Sequence, residues 1–291
     1  LGYHYSGADV RFLKTLPPIQ NGRGYSVVEG KSYTLVLEEG LVTAKSGGLI
    51  DVAGSVFAVP DVTEKPARAK IALKATGALE AALSLLDEKP FEFLTKANLP
   101  TALGKGRAEV VASLTLPLQK GTTIKDVDFN VSGKITGFHS DRLVPGRLLR
   151  ADRLSILVTP QGMEIAGKGL LQSMPFDATY TKKFIPEFKG MSQITGTAEL
   201  SSKAAASLGV ALPEGLLAGR GSADIMVDLH QGQPPQLSLR SGLVGLQMAI
   251  PALGWSKAAR SDGQLALDIT LGNPAKVDSI TLEASGLRAT G

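Results

Sequence analysis

The sequence lacks cysteine altogether, and it has few aromatic residues and no long hydrophobic run. Zero cysteines among 291 residues exclude a disulfide framework and every thiolate site, whether for zinc, for an iron–sulfur cluster or for nucleophilic catalysis. The longest uncharged stretch, residues 241–256, contains glycine and proline and is shorter than the ~20 residues that a membrane-spanning helix needs. The sequence therefore predicts no transmembrane helix within these residues.

The chain also lacks a strong charge of one sign. Lys and Arg number 31 against 27 Asp and Glu, which gives a net charge of +4. Basic and acidic residues alternate along the chain, whereas proteins that bind nucleic acid usually concentrate Lys and Arg on one stripe. A nucleic-acid partner is therefore disfavoured.

Residue types used in catalysis are present, but they do not form a catalytic pattern. Asp126 and Asp128 lie two positions apart on a predicted strand, which is how a pair of carboxylates for acid–base chemistry can be built. Their neighbours Val127, Phe129 and Val131 define the buried side of that strand, so we expect the two acids to face water. Three histidines lie in unlike contexts without a second imidazole at ligand spacing: His4, His139 and His230. We predict no enzymatic activity, no cofactor and no metal.

Strict alternation of apolar and polar residues dominates the sequence and predicts half-buried strands. In residues 108–116 the apolar positions are Ala108, Val110, Ala112, Leu114 and Leu116. The same period recurs around residues 33–37, 127–131, 154–158, 176–180, 223–229 and 265–271. Turn signals separate these segments at 39–40, 46–48, 160–162 and 272–274. The sequence predicts a mainly β fold, a meander of antiparallel strands.

Two short segments have helical spacing. Leu79, Ala82, Leu83 and Leu86 follow the i, i+3, i+4, i+7 pattern, and Pro90 is suited to begin a second helix. We therefore predict a helical hairpin at about 78–97. A second insert is predicted at 201–209, where serine can cap the amino end and Gly209 can end the helix in a left-handed conformation.

A faint internal repeat links these inserts. After each one, a Leu-Pro pair (99–100 and 212–213) leads to a glycine that begins a strand of the same pattern (106–109 and 221–224). We interpret this as a duplicated unit of strands with a helical insert, with a first repeat over 1–118 and a second over 119–291. The sequence begins at Leu1 with a strand-like pattern, and we expect it to be a segment of a longer protein.

The order of signatures in the first 118 residues carries a resemblance to a known family. The signatures are Leu16-Pro17-Pro18-Ile19, Gly22-Arg23-Gly24, the strand at 33–37, Gly47-Gly48, Pro60-Asp61, the Gly77-Ala78-Leu79 helix start and the stretch 99–118. They resemble the uncharacterised domain found in large bacterial AsmA-like proteins, relatives of the TamB-like and bridge-like lipid-transfer proteins. The strand pattern of residues 154–180 is similar to repeats of the same group of proteins.

The resemblance implies an elongated, curved antiparallel sheet that forms an open trough of repeated hairpins with an apolar lining. It also implies a periplasmic protein, anchored to the inner membrane by a helix that is not in this segment. Such a protein would shield the acyl chains of phospholipids as they move between the inner and outer membrane. The expected partners are phospholipid acyl chains, membranes contacted through regions outside this segment, and other envelope proteins.

The alternating pattern, combined with the implied trough, predicts which residues would contact lipid. The expected groove-lining residues are Val110, Ala112, Leu114, Leu116, Ile225, Val227, Leu229, Leu265, Leu267 and Ile269. Arg147, Arg150 and Arg153 are candidate contacts for anionic head groups, although ion pairing with neighbouring acids is an alternative. Trp255 fits either a membrane interface or simple packing.

An ordinary alternative explains the same alternation without a groove. Two sheets packed face to face, or a sheet closed by the helices at 78–97, would bury the apolar residues completely. The protein would then be a structural or interaction scaffold in envelope or outer-membrane assembly. The exposure of the inward residues distinguishes the two hypotheses.

Overall fold

The computed structural model of the protein describes residues 1–11, 15–89, 91–97, 99–272 and 274–291. The protein is mainly β, with 60% of its residues in strands and 9% in helices. Among the described residues, seventeen strands belong to one antiparallel sheet and three short strands to another. The predicted fold class, a large antiparallel sheet with short helical inserts, is confirmed.

The chain divides into two compact units. The first comprises Leu1–Gly146 and Asp152–Gln161, and the second comprises Arg147–Ala151 and Gly162–Gly291. The predicted repeats meet at 118 and 119 instead, and that division, which concerns sequence similarity, stays a prediction.

The first unit is a run of antiparallel strands interrupted by two helices. Its strands are β1 (Gly2–Val10), β2 (Ile19–Glu29), β3 (Ser32–Thr43), β4 (Leu49–Asp51), β5 (Ser55–Val59), β6 (Arg68–Ala78), β7 (Lys105–Pro117) and β8 (Asp128–Val144), and its helices are α1 (Leu79–Leu86) and α2 (Phe93–Lys96). Strand β9 (Arg147–Thr159) contributes its first five residues to the second unit and the rest to the first. Each strand pairs with the next, except that β3 pairs with both β4 and β5, and both of these pair with β6.

The second unit is also a run of antiparallel strands with short inserts. Its elements are β10 (Gly162–Leu171), β11 (Met174–Lys183), β12 (Met191–Leu200), α3 (Ser202–Ser207), β13 (Leu217–Gly219), β14 (Gly221–His230), β15 (Gln236–Ser241), β16 (Leu246–Ile250), β17 (Trp255–Lys257), β18 (Gln264–Thr270), β19 (Lys276–Ala284) and β20 (Leu287–Thr290). Pairing runs in the order β10, β11, β12, β14, β15, β18, β19, β20. Strands β13, β16 and β17 form the small separate sheet.

The predicted turn at 39–40 is wrong, because Gly40 lies inside β3. At this point β3 changes its partner from β5 to β4, and its register with β2 shifts. A Cβ atom at Gly40 would lie 2.7 Å from the side chain of Ile19. The glycine therefore permits a close approach at an irregular point of the strand. The turns predicted at 46–48 and 160–162 are confirmed, whereas Asn273 of the turn at 272–274 lies outside the described residues.

The first predicted helix is confirmed, but it buries a different face. Leu79, Ala81 and Ser84 are buried, whereas Leu86 is exposed. Ala81 sits so close to Gly48 that a Cβ atom there would lie 2.6 Å from the Ala81 Cβ. Close approach of two small residues thus outweighs the larger leucines. The second helix begins at Phe93, and its predicted start, Pro90, lies outside the described residues.

Both predicted end signals of the second insert are confirmed. The Ser201 hydroxyl accepts a hydrogen bond from the Ala204 amide at 3.0 Å and so caps the amino end of α3. Gly209 follows the helix with a φ of 76°, in the left-handed region that favours glycine. No helix among the described residues is long and apolar enough to span a membrane.

The chain exposes more surface than its mass requires. Its accessible surface is 17393 Å², whereas two separate globules of half its mass would expose about 14,200 Å² together. Fully buried hydrophobic residues in the described ranges form small clusters, such as the one around Leu37, Ile50 and Ala81. Many apolar strand residues therefore remain partly accessible.

Candidate functional site

The first unit carries a row of side chains that crosses seven strands in register. Directly paired residues of an antiparallel sheet project from the same face, and the pairing links the residues of β1, β2, β3, β5, β6, β7 and β8 one after another. The row consists of Tyr3, Ser26, Leu35, Phe57, Ile71, Leu114 and Phe129. Together with Val110, Ala112 and Leu116 on the same side of β7, we call these residues the first apolar face.

Most of the first apolar face is partly exposed. Val110, Leu114 and Leu116 of the predicted groove lining are partly buried, and Ala112 is fully buried. Helix α1 contacts β4, β6 and β7 and covers one end of the face, where Leu73 and Ala75 pack against its cluster. Beyond the helix, the principal contacts of β7 are with its paired neighbours β6 and β8.

The second unit has two comparable rows. One consists of Ile165, Tyr180, Ile194, Val227, Leu237 and Ile269, and the other consists of Gly167, Ala178, Gly196, Ile225, Leu239, Leu267 and Ile280. Together with Leu229 and Leu265, which extend the same side of β14 and β18, we call these residues the second apolar face. All six predicted lining residues of this unit lie on it: Ile225, Val227, Leu229, Leu265, Leu267 and Ile269.

One end of the second apolar face is covered by the unit's own elements. Helix α3 contacts β11 and β12, and Ala198, Ala204 and Ala223 are buried there. Leu246 of the small sheet and the neighbouring Leu243 form a buried cluster with Ala284, against which Leu265 packs. Towards the other end of the strands, Ile225, Val227 and Leu267 are only partly buried. The principal contacts of β14, β15 and β18 are with the strands paired to them, so their inward side chains form an accessible apolar surface.

The opposite side of the same strands is polar. The row next to Val227 contains Thr195, Met226, Ser238, Asp268 and Ser279. The Asp268 carboxylate accepts hydrogen bonds from Ser238 at 2.7 Å and Ser279 at 2.8 Å, and it forms an ion pair with Arg240 at 2.9 Å. These hydrogen bonds, the one from Ser238 first, lower the pKa of Asp268 below 3.8. The sheet of the second unit is therefore amphipathic, with a polar side suited to contact with water and an apolar side suited to contact with apolar groups.

The three candidate arginines have different surroundings. Arg147 donates hydrogen bonds to the carbonyl oxygens of Ser207 at 3.2 Å and of Leu208, so it satisfies acceptors at the carboxyl end of α3. Arg150 and Arg153 are exposed. Glu109 has a lowered pKa, chiefly through its hydrogen bond from Lys134 and in smaller part through Arg107 and Arg153. Contact of these arginines with lipid head groups stays a prediction.

The predicted pairing of two carboxylates on one strand is wrong. Asp126 belongs to a single 3-10 turn, Ile124–Asp126, and only Asp128 lies in β8. The Asp126 carboxylate accepts hydrogen bonds from the amide and the hydroxyl of Thr123, both at 2.8 Å, which lower its pKa. Its role is local capping, because Thr123 and Asp126 form a reciprocal box. Within the described ranges, no cluster of three or more His, Asp or Glu side chains is arranged to hold a metal.

Two buried polar groups could not be found from the sequence pattern. Ser26 is fully buried on the first apolar face, and its hydroxyl has no hydrogen-bond partner. Lys257 is also fully buried, and its ammonium donates to the carbonyl oxygens of Leu243, Leu246, Ala258 and Ser261 at 2.5–3.1 Å. The carbonyl cage shows that Lys257 holds residues 243–261 together. Trp255 packs against the cluster of Leu243, Leu246 and Ala284 and donates to the Ala284 carbonyl at 3.2 Å.

Comparison with protein-family models, with curated proteins and with solved structures gives no match to this chain. The resemblance to AsmA-like proteins therefore stays a prediction from sequence signatures. The functional argument depends on the geometry of the two apolar faces.

Proposed function

We propose that the chain binds phospholipid acyl chains along its apolar faces, as a segment of a lipid-transfer protein. The observation that supports this is the in-register rows of aliphatic and aromatic side chains, many of which are partly exposed within each unit. The setting implied by the sequence resemblance is the bacterial periplasm, with movement between the inner and outer membrane. No catalytic step is part of this proposal.

The energetics of lipid movement favour such a surface. Each methylene exposed to water costs about 0.8 kcal/mol, so two acyl chains with about thirty methylenes would cost roughly 25 kcal/mol to carry through water unshielded. Seven strands spaced about 4.8 Å apart give a row about 29 Å long. One leaflet of the ~30 Å hydrocarbon core is about half that length. A row can therefore shield an acyl chain along its full length.

The rival scaffold hypothesis is supported by the covered ends of the faces. Leu265 and Leu282 pack against Leu243 and Leu246, and the first unit places α1 over Leu73. These contacts show that part of the inward surface serves the chain's own core. A scaffold predicts that the remaining inward residues contact protein and not lipid.

Matched charge substitutions on the two faces separate these hypotheses. Val227→Asp with Leu267→Asp places two charges on the second apolar face, whereas Met226→Asp with Ala266→Asp places them one residue away on the polar side. We expect native mass spectrometry to detect phospholipid on the wild type and on the polar-side variant, and to find it lost from the inward variant. Circular dichroism would establish that both variants are folded.

If the variants are folded, each possible result supports only one of the two hypotheses. Loss of lipid in the inward variant alone supports the acyl-chain surface. A folded, lipid-free wild type that also takes up no phospholipid from vesicles would refute the proposal and favour the scaffold. Equal lipid binding by both variants would likewise exclude the second apolar face as the binding surface.

A further inference from the structure

The loop between β11 and β12 combines exposed apolar side chains with unpaired lysines. Phe184, Ile185, Phe188 and Met191 are each between 37% and 45% exposed. They stand among Lys182, Lys183 and Lys189, with Glu187 as the only acid in residues 182–191. None of the three lysines forms an ion pair with another described residue.

Backbone hydrogen bonds and one cation–ring contact restrain the loop. Residues Pro186–Phe188 form a 3-10 turn, with the Phe188 amide donating to the Ile185 carbonyl at 3.1 Å. At its base, the Gln231 amide donates to the Gly190 carbonyl at 2.8 Å. The Lys183 ammonium lies 4.3 Å from the centre of the Phe188 ring. Because the apolar and basic groups are already positioned together, binding through them requires little further ordering.

We propose that this loop docks on the surface of a bilayer that contains anionic phospholipid. The aromatic and aliphatic side chains would enter the interface between head groups and acyl chains, and the lysines would lie beside the phosphates. This contact lies within the segment itself, and it does not depend on acyl-chain binding by the apolar faces.

The composition of the loop favours a membrane over a protein partner. Lysine is depleted from the cores of protein–protein interfaces, whereas lysines beside exposed aromatic residues are typical of segments that bind anionic membranes. A second copy of this chain is disfavoured too, because self-pairing through the loop would place its net positive charge against itself.

A single label can test insertion directly. The chain has no cysteine, so Ile185→Cys can be labelled at one site with an environment-sensitive fluorophore on the full 291-residue chain. We expect its emission to rise and shift to the blue with vesicles of phosphatidylcholine containing about 30% phosphatidylserine, and to respond weakly to phosphatidylcholine alone. Val62→Cys, at an exposed apolar position beside Asp61 and Glu64, is the control and should not respond.

Charge substitutions test the electrostatic part. Lys183→Gln with Lys189→Gln should weaken vesicle binding about 25-fold, at about fivefold per lysine, whereas Lys70→Gln with Lys74→Gln on the polar side of β6 should leave it unchanged. Added salt should weaken binding by the wild type. The same emission at positions 185 and 62, or equal binding by the two lysine variants, would overturn the proposal. The variant Val227→Asp with Leu267→Asp should still bind vesicles, so failure of the acyl-chain proposal would be seen separately.

Discussion

Replacing Lys257 by methionine removes a buried ammonium from a cage of backbone carbonyls. Four carbonyl oxygens accept hydrogen bonds from Nζ. The hydrogen bonds to Leu243 and Leu246 are buried. Water can reach the carbonyls of Ala258 and Ser261 more readily, because those contacts are only partly buried. A buried acceptor left without a donor costs about 1–3 kcal/mol. The Leu243 carbonyl also accepts from the Leu246 amide at 3.3 Å, so the main loss is at the Leu246 carbonyl, and we expect a decrease of about 2 kcal/mol in the free energy of unfolding of the second unit.

Thermal unfolding followed by circular dichroism measures this loss. For a unit of this size, about 1 kcal/mol lowers Tm by roughly 3 °C, so the Tm of Lys257→Met should be about 6 °C below that of the wild type. Lys203→Met, which removes an exposed lysine on α3, should shift Tm by less than about 2 °C. A Tm for Lys257→Met within that margin of the wild type would show that the carbonyl cage does not depend on the ammonium.

Two further predictions concern single polar groups. Ser26→Ala should stabilise the first unit by about 1 kcal/mol, because it removes a fully buried hydroxyl without a partner; a urea midpoint below that of the wild type would contradict this, and the exposed Ser132→Ala is the control. Asp268 has a pKa lowered below 3.8, so its stabilising contribution is present above that value and is lost as the pH falls through the lowered pKa. Asp268→Asn should therefore lower the urea midpoint at neutral pH, and the gap to the wild type should close in acid; a gap independent of pH would refute the assignment.

Local pattern was sufficient for strand β7 and for both ends of helix α3. The alternation at 108–116 placed β7 and its inward side correctly, because a strand's two faces differ in every second residue. The cap at the start of α3 and the left-handed Gly209 were also predictable, since each acts within a few residues of chain.

The errors arose where distant parts of the chain meet. Gly40 has the local appearance of a turn residue, but its role is set by Ile19 in the neighbouring strand. Helix α1 turns Ala81 inwards because Gly48, far away in sequence, leaves room for it. The rows of each apolar face likewise depend on register, because Val227 meets Leu237 and Ile194 only through pairing that no local pattern specifies.

Because the buried clusters are small and the apolar faces are accessible, the folding stability of the chain should depend on whether lipid is bound to those faces. An apolar surface left in water forgoes the transfer free energy that a second layer would supply, and the chain's excess of accessible area is consistent with such a surface. A ligand that binds only the folded chain stabilises it by about 2.7 kcal/mol at a concentration one hundred times its Kd. If acyl chains cover the faces, delipidation must lower the stability of the wild type more than that of Val227→Asp with Leu267→Asp. The scaffold hypothesis requires no such difference, so unfolding with and without lipid separates the two hypotheses by an equilibrium quantity independent of transport.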